Sequence, residues 1–248
     1  MDANKITRVE QYEKIQRNSQ KYAEEALEKT RNNDGIIPIQ FMKTYSENAY
    51  RLIDWSKYND RNLTMEASYF RYAYAIEYSF VAVTQKLINV LAEYIGDRKV
   101  LSVMSGLCVL EHHLEKYGIQ ITCSDNLSWF DEHFDKELMK PVSKFIIDDA
   151  EKTVRDHARD YDFILMAWPP YQEDIAERVL TAMRETNPDC MMIYIGEKQG
   201  GNCATDRFFA LADDEHYRIP FEELKRFPLV QNAYEAFWGL HDRVLLFK

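Results

Sequence analysis

The sequence predicts an α/β protein with a mostly parallel sheet and helices on both faces, preceded by a helical region at the N-terminus. From Lys99 onward, short apolar runs alternate with amphipathic stretches, which is typical of strands that alternate with helices. Glycine and proline also divide the chain, since the first 95 residues contain only Gly35 and Pro38 of the 8 glycines and 7 prolines. We therefore expect a helical region over 1–96, acting as a lid or an interaction surface, and a second domain over 97–248.

Length and composition are typical of a soluble protein. The 248 residues suffice for one large domain or one domain with an appendage, and 46% are apolar and 29% charged. No run of about 18 apolar residues is present, and the polar N-terminus is unlike a secretory signal. The four cysteines form no C-x-x-C pair and are expected to be reduced core residues. We expect a cytoplasmic protein with no membrane partner.

The net charge of −10 belongs entirely to the second domain. Residues 1–96 contain 13 basic and 13 acidic side chains, so residues 97–248 contain the remaining 18 of 31 basic and 28 of 41 acidic ones. Such a field repels phosphate backbones, and no basic stripe offsets it. The charge therefore argues against nucleic acid as a partner.

The N-terminal region is expected to form three helices, over 6–31, 38–56 and 64–95, because its apolar positions follow helical spacing. Six of the thirteen residues in 68–80 are aromatic. We expect most of these rings to pack between helices. The alternative is a lid from which Tyr72 or Tyr74 reaches a binding site.

In the second domain, apolar runs predict strands and amphipathic stretches predict the helices between them. Strands are expected over 99–104, 120–125, 144–148, 161–168 and 190–197, with strand-like segments at 217–220 and 242–248. Helices are expected over 107–117, 149–159, 172–186 and 204–215. Ligands bind beyond the carboxyl ends of parallel strands, so the residues that follow the strands are the candidates for a site.

Three strand ends carry candidate ligand-binding residues. Ser105 and Gly106 follow the first strand in a small-residue turn that would let a ligand approach the backbone. Asp125 ends the second strand nineteen residues after Gly106, an offset typical of a carboxylate that binds ribose hydroxyls. Asp149 and Ala150 follow the third strand, where an acidic side chain could accept a hydrogen bond from an adenine amino group. The structural alternatives are a tight turn, a polar strand end and a helix cap.

The fourth strand ends in the sequence Trp168-Pro169-Pro170-Tyr171. Proline lacks a backbone donor and biases the preceding residue away from helix, so a stiff, extended corner is expected. Trp168 and Tyr171 would then flank a slot that stacks a planar acceptor. The alternative is a strand stop whose aromatic side chains pack on neighbouring helices.

Two further features complete the candidate set. The loop after the fifth strand contains Gly200 and Gly201 and is expected either to approach a ligand closely or to be mobile. His112 and His113 have no acidic or cysteine partner at ligand spacing, so no metal site is expected.

Together, these elements resemble a class I S-adenosylmethionine-dependent methyltransferase over residues 97–248. The resemblance implies a Rossmann-like, seven-stranded, mostly parallel sheet that ends in an antiparallel hairpin, here 217–220 with 242–248. It implies S-adenosylmethionine as the cofactor and methyl transfer to a small-molecule or protein acceptor. Catalysis would depend on Trp168, Pro169, Pro170 and Tyr171. Cofactor binding would depend on Asp125 for the ribose, Asp149 and Ala150 for the adenine, Ser105 and Gly106 for the amino-acid end, and Tyr72 as the lid residue.

A closer similarity is to a methyltransferase-like group whose fourth strand ends in W-P-P-Y. Members of that group also carry, in this order, features similar to Tyr72–Ile76, Ile193–Glu197, Gly200–Gly201, Phe208–Phe209 and Asp242–Arg243. The group brings no known substrate.

The first turn departs from the family pattern, which is usually an acidic residue followed by G-x-G-x-G. This chain has Ser102, Met104, Gly106 and Cys108 at those positions, so only the middle glycine is present. Met104 and Cys108 are expected to narrow the space for the methionine end of the cofactor, and Glu111 to restore an acidic contact. One alternative function is therefore a degenerate, non-catalytic scaffold in which Met104 fills the cofactor site.

The fourth strand also departs from the related amino-group methyltransferases, which resemble D/N-P-P-Y/F. In those enzymes the Asp or Asn side chain accepts a hydrogen bond from the target amine. Trp168 stands at that position and offers only an indole N–H donor. Methylation of a nucleic-acid base, the second alternative function, therefore lacks its acceptor.

Overall fold

The computed structural model describes residues 8–39, 41–42, 61–129, 136–237 and 239–248. In the N-terminal region three long helices are described: α1 (Arg8–Arg31), α2 (Arg61–Glu77) and α3 (Gln85–Ile95). Most of the helix predicted over 38–56 lies outside the described residues.

The prediction of a single helix over 64–95 is wrong, because residues 78–84 are not helical and separate α2 from α3. Thr84 is extended and caps α3, with its hydroxyl accepting a hydrogen bond from Leu87 N at 3.2 Å. Next to it, Ile37 N donates to Val83 O at 2.8 Å, and Ile37 pairs with Thr84 in a parallel bridge. These backbone contacts compete with helix continuation, and they leave residues 78–81 free to line a cavity described in the next section.

Residues 97–248 contain one mixed sheet with the strand order β3-β2-β1-β4-β5-β6. The strands are β1 (Val100–Val103), β2 (Ile121–Asp125), β3 (Phe145–Ile147), β4 (Phe163–Ala167), β5 (Met191–Gly196) and β6 (Arg243–Phe247). All neighbouring pairs are parallel except β5 with β6, which are antiparallel. The chain lays down β1 to β3 in one direction and returns to place β4 on the other side of β1, so the strand order reverses between β1 and β4.

Among the residues that the structure describes, six helices accompany this sheet. They are α4 (Val109–Lys116), α5 (Ala150–His157), α6 (Ile175–Thr186), α7 (Asp206–Ala212), α8 (Phe221–Arg226) and α9 (Pro228–Ala233). Short 3-10 turns occur at Lys136–Leu138 and Ala158–Asp160. No helix within the described ranges combines the length and the apolar character needed to cross a bilayer.

The expected seventh strand, over 217–220, is absent from the part of the chain that the structure describes, where the sheet has six strands. Tyr217 N closes a turn by donating to Asp214 O at 3.0 Å, and the Tyr217 ring lies 3.8 Å from the guanidinium carbon of Arg184. Pro220, which cannot donate to a ladder, stands at the N-cap of α8. The segment therefore leads into a helix, and β6 pairs directly with β5.

Apolar side chains cover both faces of the sheet, as predicted. Along β1, Val100 belongs to a cluster shared with the N-terminal helices, whereas Leu101 and Val103 belong to a cluster shared with α5, α6 and α7. This alternation follows from the period of two in a strand. All four cysteines are buried and free, as expected for reduced core residues.

Candidate ligand-binding site

A cavity of about 750 Å³ lies at the carboxyl edge of the sheet, next to the reversal point between β1 and β4. Its wall includes the residues that follow β1, β2, β3 and β4, together with residues 78–81 from the break between α2 and α3. A volume of this size is typical of a small-molecule site, and the place is the one that open α/β sheets use for ligands.

The cavity brings together nearly all the residues that the sequence nominated. Those in its wall are Ser105, Gly106, Asp125, Asp149, Ala150, Trp168, Pro169, Pro170 and Tyr171. Tyr72 is not among the lining residues; its side chain is 70% exposed, so the structure does not place it as a lid. Tyr74, the other lid candidate, is fully buried and donates its hydroxyl to Gly35 O at 2.9 Å.

The turn after β1 has the backbone of a glycine-rich turn, although Gly106 is the only glycine among its three left-handed residues. Met104, Gly106 and Cys108 have φ of 53°, 54° and 57°, the left-handed region that glycine enters at little cost. A non-glycine residue costs roughly 1–2 kcal/mol there. Cys108 points into the interior and is fully buried, so of the two substituted positions only Met104 lines the cavity. The predicted narrowing therefore applies to Met104 alone.

Asp125 organises this turn. Its Oδ2 accepts a hydrogen bond from Gly106 N at 2.9 Å, and its Oδ1 accepts from Leu127 N at 2.7 Å and Trp129 Nε1 at 3.0 Å. The side chain is buried yet lines the cavity. A carboxylate oxygen can accept two hydrogen bonds, so Oδ2 keeps capacity for a ligand hydroxyl.

A second carboxyl group lies beneath the same turn. Glu111 on α4 is buried and lines the cavity, and its Oε1 accepts a hydrogen bond from Ser102 Oγ at 2.6 Å. Burial raises the pKa of Glu111 to about 7, more than the Ser102 hydrogen bond lowers it. Glu111 thus places a carboxyl group next to Ser102, and its expected contact with a cofactor stays a prediction.

The residues after β3 combine a structural role with a place in the wall. Asp149 caps α5, since its Oδ1 accepts hydrogen bonds from Glu151 N at 3.0 Å and Lys152 N at 3.2 Å. Asp149 and the buried Ala150 both line the cavity. The helix-cap alternative is therefore correct for Asp149 Oδ1, and the cap also fixes the carboxylate at the cavity wall.

The corner after β4 is not extended at Trp168, contrary to the prediction. Trp168 has φ of 50°, a left-handed conformation that is strained for a bulky residue before proline. Trp168 N donates to Ile195 O at 2.7 Å, and this bond to β5 holds the strained conformation. Strain of this kind costs on the order of 1–3 kcal/mol and is often found at functional sites.

The indole N–H of Trp168 is hydrogen-bonded within the protein. It donates to Asp242 Oδ2 at 3.4 Å, and Tyr234 also donates its hydroxyl to that oxygen. Burial raises the pKa of Asp242, although these hydrogen bonds oppose the shift. The other oxygen, Oδ1, is buried and has no hydrogen-bond partner among the described residues. Trp168 thus shows its ring to the cavity while its polar atom is bound by Asp242.

The loop after β5 is tied down by a buried carboxylate. Glu197 Oε2 accepts hydrogen bonds from Asn202 N and Asn202 Nδ2, both at 2.7 Å, and Oε1 accepts from His241 N at 3.0 Å. These bonds hold the pKa of Glu197 below its usual value, although burial alone would raise it. A Cβ at Gly201 would lie 2.4 Å from Glu197 Cβ, so the glycine serves a close approach within the protein. Asn202 carries this loop to the cavity wall.

Sequence analysis missed Phe80, Trp129 and Arg178, which all line the cavity. The Phe80 ring stacks on Trp168 with a centroid distance of 5.8 Å and an interplanar angle of 26°. Phe80 belongs to the aromatic run that the sequence singled out, but only the break between α2 and α3 brings it to the sheet edge. Trp129 lies four residues after Asp125. Its position just after a predicted strand is the only sequence feature that could have nominated it as a lining residue.

Charge in the cavity is mainly negative. The carboxyl side chains of Glu111, Asp125, Asp149 and Glu173 line it. Arg178 is the one lining arginine or lysine among the described residues, and it is ion-paired to Glu151 at 2.8 Å and Asp174 at 3.1 Å. The cavity therefore favours a cationic ligand over a phosphate-bearing one.

A cluster outside the cavity corrects the expectation that the two histidines lack an acidic neighbour. Asp34 Oδ2 lies 3.4 Å from His112 Nε2, and His113 Nε2 lies 3.0 Å from the Asp34 backbone oxygen. Lys116 and Lys140 already bind the carboxylate at 2.7 and 2.6 Å. Burial opposes ionisation here, but the two ammonium groups outweigh it and hold the pKa of Asp34 well below its usual range. The cluster is an ion-pair network that links the segment after α1 to α4 and to Lys140.

Comparisons with known proteins give partial structural similarities. No protein-family model matches the chain, and no curated protein matches it in sequence. It is similar to a protein from Pyrococcus horikoshii OT3, with 20% identity, a TM-score of 0.36, and 45% of this chain and 51% of that chain covered. It is also similar to the SAM-dependent methyltransferase from Agrobacterium tumefaciens, with 19% identity, a TM-score of 0.35, and 51% and 45% covered. The chain therefore spans about half the length of these two structures.

A further similarity is to a SAM-dependent methyltransferase from Archaeoglobus fulgidus. Here the identity is 10% and the TM-score 0.40, and the match covers 66% of this chain and 91% of that chain.

Proposed function

We propose that this chain binds S-adenosylmethionine in the cavity and transfers its methyl group to a small-molecule or protein acceptor. The observation that carries the proposal is the turn after β1, whose left-handed residues 104, 106 and 108 stand beside Asp125 at the reversal point of the sheet. This arrangement suits a nucleoside whose ribose is bound by the acidic residue after the second strand.

In this proposal, each part of the cofactor would meet a different group of residues in the cavity wall. Asp125 Oδ2 has an acceptor site left for a ribose hydroxyl, and the side of the cavity at Asp149 and Ala150 is placed to receive the adenine. Glu111, beneath the turn, is placed to pair with the α-ammonium group at the amino-acid end. Met104 contributes to the wall but leaves the cavity open at about 750 Å³.

The charge of the cavity separates this cofactor from dinucleotides. S-adenosylmethionine carries a sulfonium and an ammonium group, which four lining carboxyl groups attract. A pyrophosphate would need free backbone donors at the start of α4, where Gly106 N is already bound to Asp125 and Cys108 N to Ser105 O. A nucleoside cation therefore suits the turn better than a dinucleotide.

The chain's own contribution to the reaction would be positioning. S-adenosylmethionine, when bound, would supply an electrophilic methyl group for transfer to an acceptor lone pair, with the electron pair of the carbon–sulfur bond left on sulfur and the acceptor's proton passing to solvent. The corner at Pro169 and Pro170 would hold the acceptor in line with the methyl group, and Trp168 and Tyr171 would enclose it. In this mechanism, no side chain of the protein has to act as a nucleophile or hold a metal ion.

The test is calorimetric titration with S-adenosylmethionine, with NAD⁺ as the competing ligand class. We expect one site for the former and no heat for the latter. Ala150→Leu, which adds volume to the cavity wall, should weaken binding at least about tenfold, whereas Ala210→Leu, an exposed position on α7, should not change it. Absence of binding at millimolar S-adenosylmethionine would overturn the proposal.

The two alternative functions have less support. A scaffold in which Met104 fills the cofactor site does not match a cavity that stays open with Met104 in its wall. Base methylation would need an acceptor atom at Trp168, and the only polar atom of that side chain donates to Asp242. Both the bound indole N–H and the acidic lining therefore favour the small-molecule or protein acceptor.

A further inference from the structure

We infer that the Phe80–Trp168 pair is a recognition wall for an uncharged, planar aromatic acceptor. This inference rests on the proposed function, because the ligand is a methyl acceptor only if the chain transfers a methyl group. Binding to the wall can nevertheless be tested without any methyl transfer. The two rings stack at 5.8 Å and 26°, and both line the cavity. Phe80 is 48% exposed and lies against the partly buried Trp168, so ring surface of this pair remains open to a ligand.

The protein holds both rings in place. Phe80 lies in the break between α2 and α3, where Ser79 Oγ accepts a hydrogen bond from Val81 N at 3.0 Å and fixes the turn. Trp168 is held by its backbone bond to Ile195 and by its indole bond to Asp242. A pre-positioned aromatic surface binds a flat ring with little loss of side-chain freedom, which favours stacking as the mode of recognition.

The wall offers ring surface in place of hydrogen bonds. Phenylalanine has no polar side-chain atom, and Asp242 binds the single indole donor of Trp168. An aliphatic ligand of equal size would gain burial here but no stacking contribution. Shape and aromaticity therefore decide which ligand this wall prefers.

Two opposite charges flank the pair and argue for a neutral ring. The guanidinium carbon of Arg71 lies 5.7 Å from the centroid of the Trp168 ring, and Arg71 forms no ion pair within the described residues. The buried Asp242 carboxyl group binds the indole N–H of the same side chain. The two opposite charges offset one another, so this end of the cavity has no net charge that would attract an ionic acceptor. The sulfonium cofactor would bind at the other end of the cavity, which is lined by Glu111, Asp125 and Asp149.

The experiment uses two probes with one carbon skeleton: 2-naphthol, which is planar, and decahydro-2-naphthol, which is saturated. Binding of each to the full chain is measured by calorimetry with and without S-adenosylmethionine. We expect 2-naphthol to bind at one site at least about threefold more tightly than the saturated alcohol. Phe80→Leu should weaken 2-naphthol about two- to tenfold and leave both decahydro-2-naphthol and S-adenosylmethionine unchanged.

Phe221→Leu is the matched control, because Phe221 is 68% exposed on α8 and lies outside the cavity wall. Equal affinities of the two alcohols, an unchanged 2-naphthol affinity in Phe80→Leu, or no binding of 2-naphthol would each overturn the wall. Circular dichroism and thermal melting show whether Phe80→Leu is folded; should it be unfolded, Phe80→Ile and Phe80→Tyr, with loss and retention of the ring, repeat the comparison. If 2-naphthol binds as expected and S-adenosylmethionine does not bind, the proposed function fails and the wall stands.

Discussion

Trp168 and Asp242, 74 residues apart in the chain, are joined by an indole N–H to carboxylate hydrogen bond of 3.4 Å. Trp168 directly follows β4 and has a strained backbone conformation, and Asp242 immediately precedes β6. The antiparallel register of β6 on β5, in which Gly196 pairs with Arg243, brings the two together. The bond therefore links the acceptor side of the cavity to the last strand of the fold.

Removing the Asp242 carboxyl group should destabilise the protein. Asp242→Ala leaves the Trp168 N–H and the Tyr234 hydroxyl without an acceptor in a buried place, which we expect to cost about 2–4 kcal/mol in free energy of unfolding. Asp242→Asn keeps an acceptor oxygen and should cost less than about 1 kcal/mol. Urea unfolding followed by tryptophan fluorescence measures both; equal losses in the two variants would contradict the role given to the hydrogen bonds.

The buried carboxyl group of Glu111 should make stability fall as pH rises. Its pKa is about 7 in the folded protein against 4.5 in the unfolded chain, so the folded state binds the proton more tightly. This contribution is complete below pH 4.5 and is lost between 4.5 and about 7, amounting to something on the order of 3 kcal/mol. Glu111→Gln resembles the protonated form, so variant and wild type should be equally stable near pH 4.5, and the variant more stable at pH 8. Parallel pH profiles from urea unfolding would be evidence against a raised pKa.

The same group should make cofactor binding depend on pH in the opposite direction. If Glu111 pairs with the α-ammonium group, only its ionised form binds well, and the affinity for S-adenosylmethionine should rise about fivefold from pH 6 to pH 7. Calorimetry at the two pH values gives the ratio. Glu111→Gln should bind more weakly with no such ratio, and a ratio that persists in this variant would assign the dependence to another group.

Two adjacent glycines in the loop after β5 should respond differently to alanine. A Cβ at Gly201 would meet Glu197 Cβ at 2.4 Å, so Gly201→Ala must displace the carboxylate that holds the loop, at a cost of about 2–3 kcal/mol. At Gly200 the added Cβ meets nothing within 4 Å, and only the left-handed φ of 81° opposes it, at about 1 kcal/mol. Thermal unfolding of the pair compares them. A greater loss in Gly200→Ala would show that close approach is not the reason for glycine at 201.

Much of the site could be predicted because parallel strands share one carboxyl edge. Ser105, Asp125, Asp149 and Trp168 each follow a different strand, so any parallel arrangement brings them to the same side of the sheet. The backbone conformation of the first turn could not be read in this way. Met104 and Cys108 replace two glycines of the family pattern, yet both residues adopt the left-handed φ values that glycine favours.

The position of Tyr72 outside the cavity wall has a geometric cause. Phe70, Tyr74 and Tyr78 recur at four-residue intervals and form the buried stripe of α2 and the residue after it. Tyr72 lies two residues from Phe70 and Tyr74, about 200° around the helix axis, and so faces solvent. The spacing of the apolar residues could therefore have predicted that Tyr72 faces solvent. The position of Phe80, in contrast, depends on the interruption between α2 and α3, which no local sequence pattern indicated.

The consecutive residues His241 and Asp242 bind two separate walls of the cavity. His241 N donates to Glu197, whose other oxygen holds Asn202, while the Asp242 side chain holds Trp168. The corner after β4 and the loop after β5 therefore cannot loosen independently, since both depend on one peptide segment. In native-state hydrogen exchange, the backbone amides of Trp168 and Asn202 should exchange through the same opening event, with equal protection and equal sensitivity to denaturant.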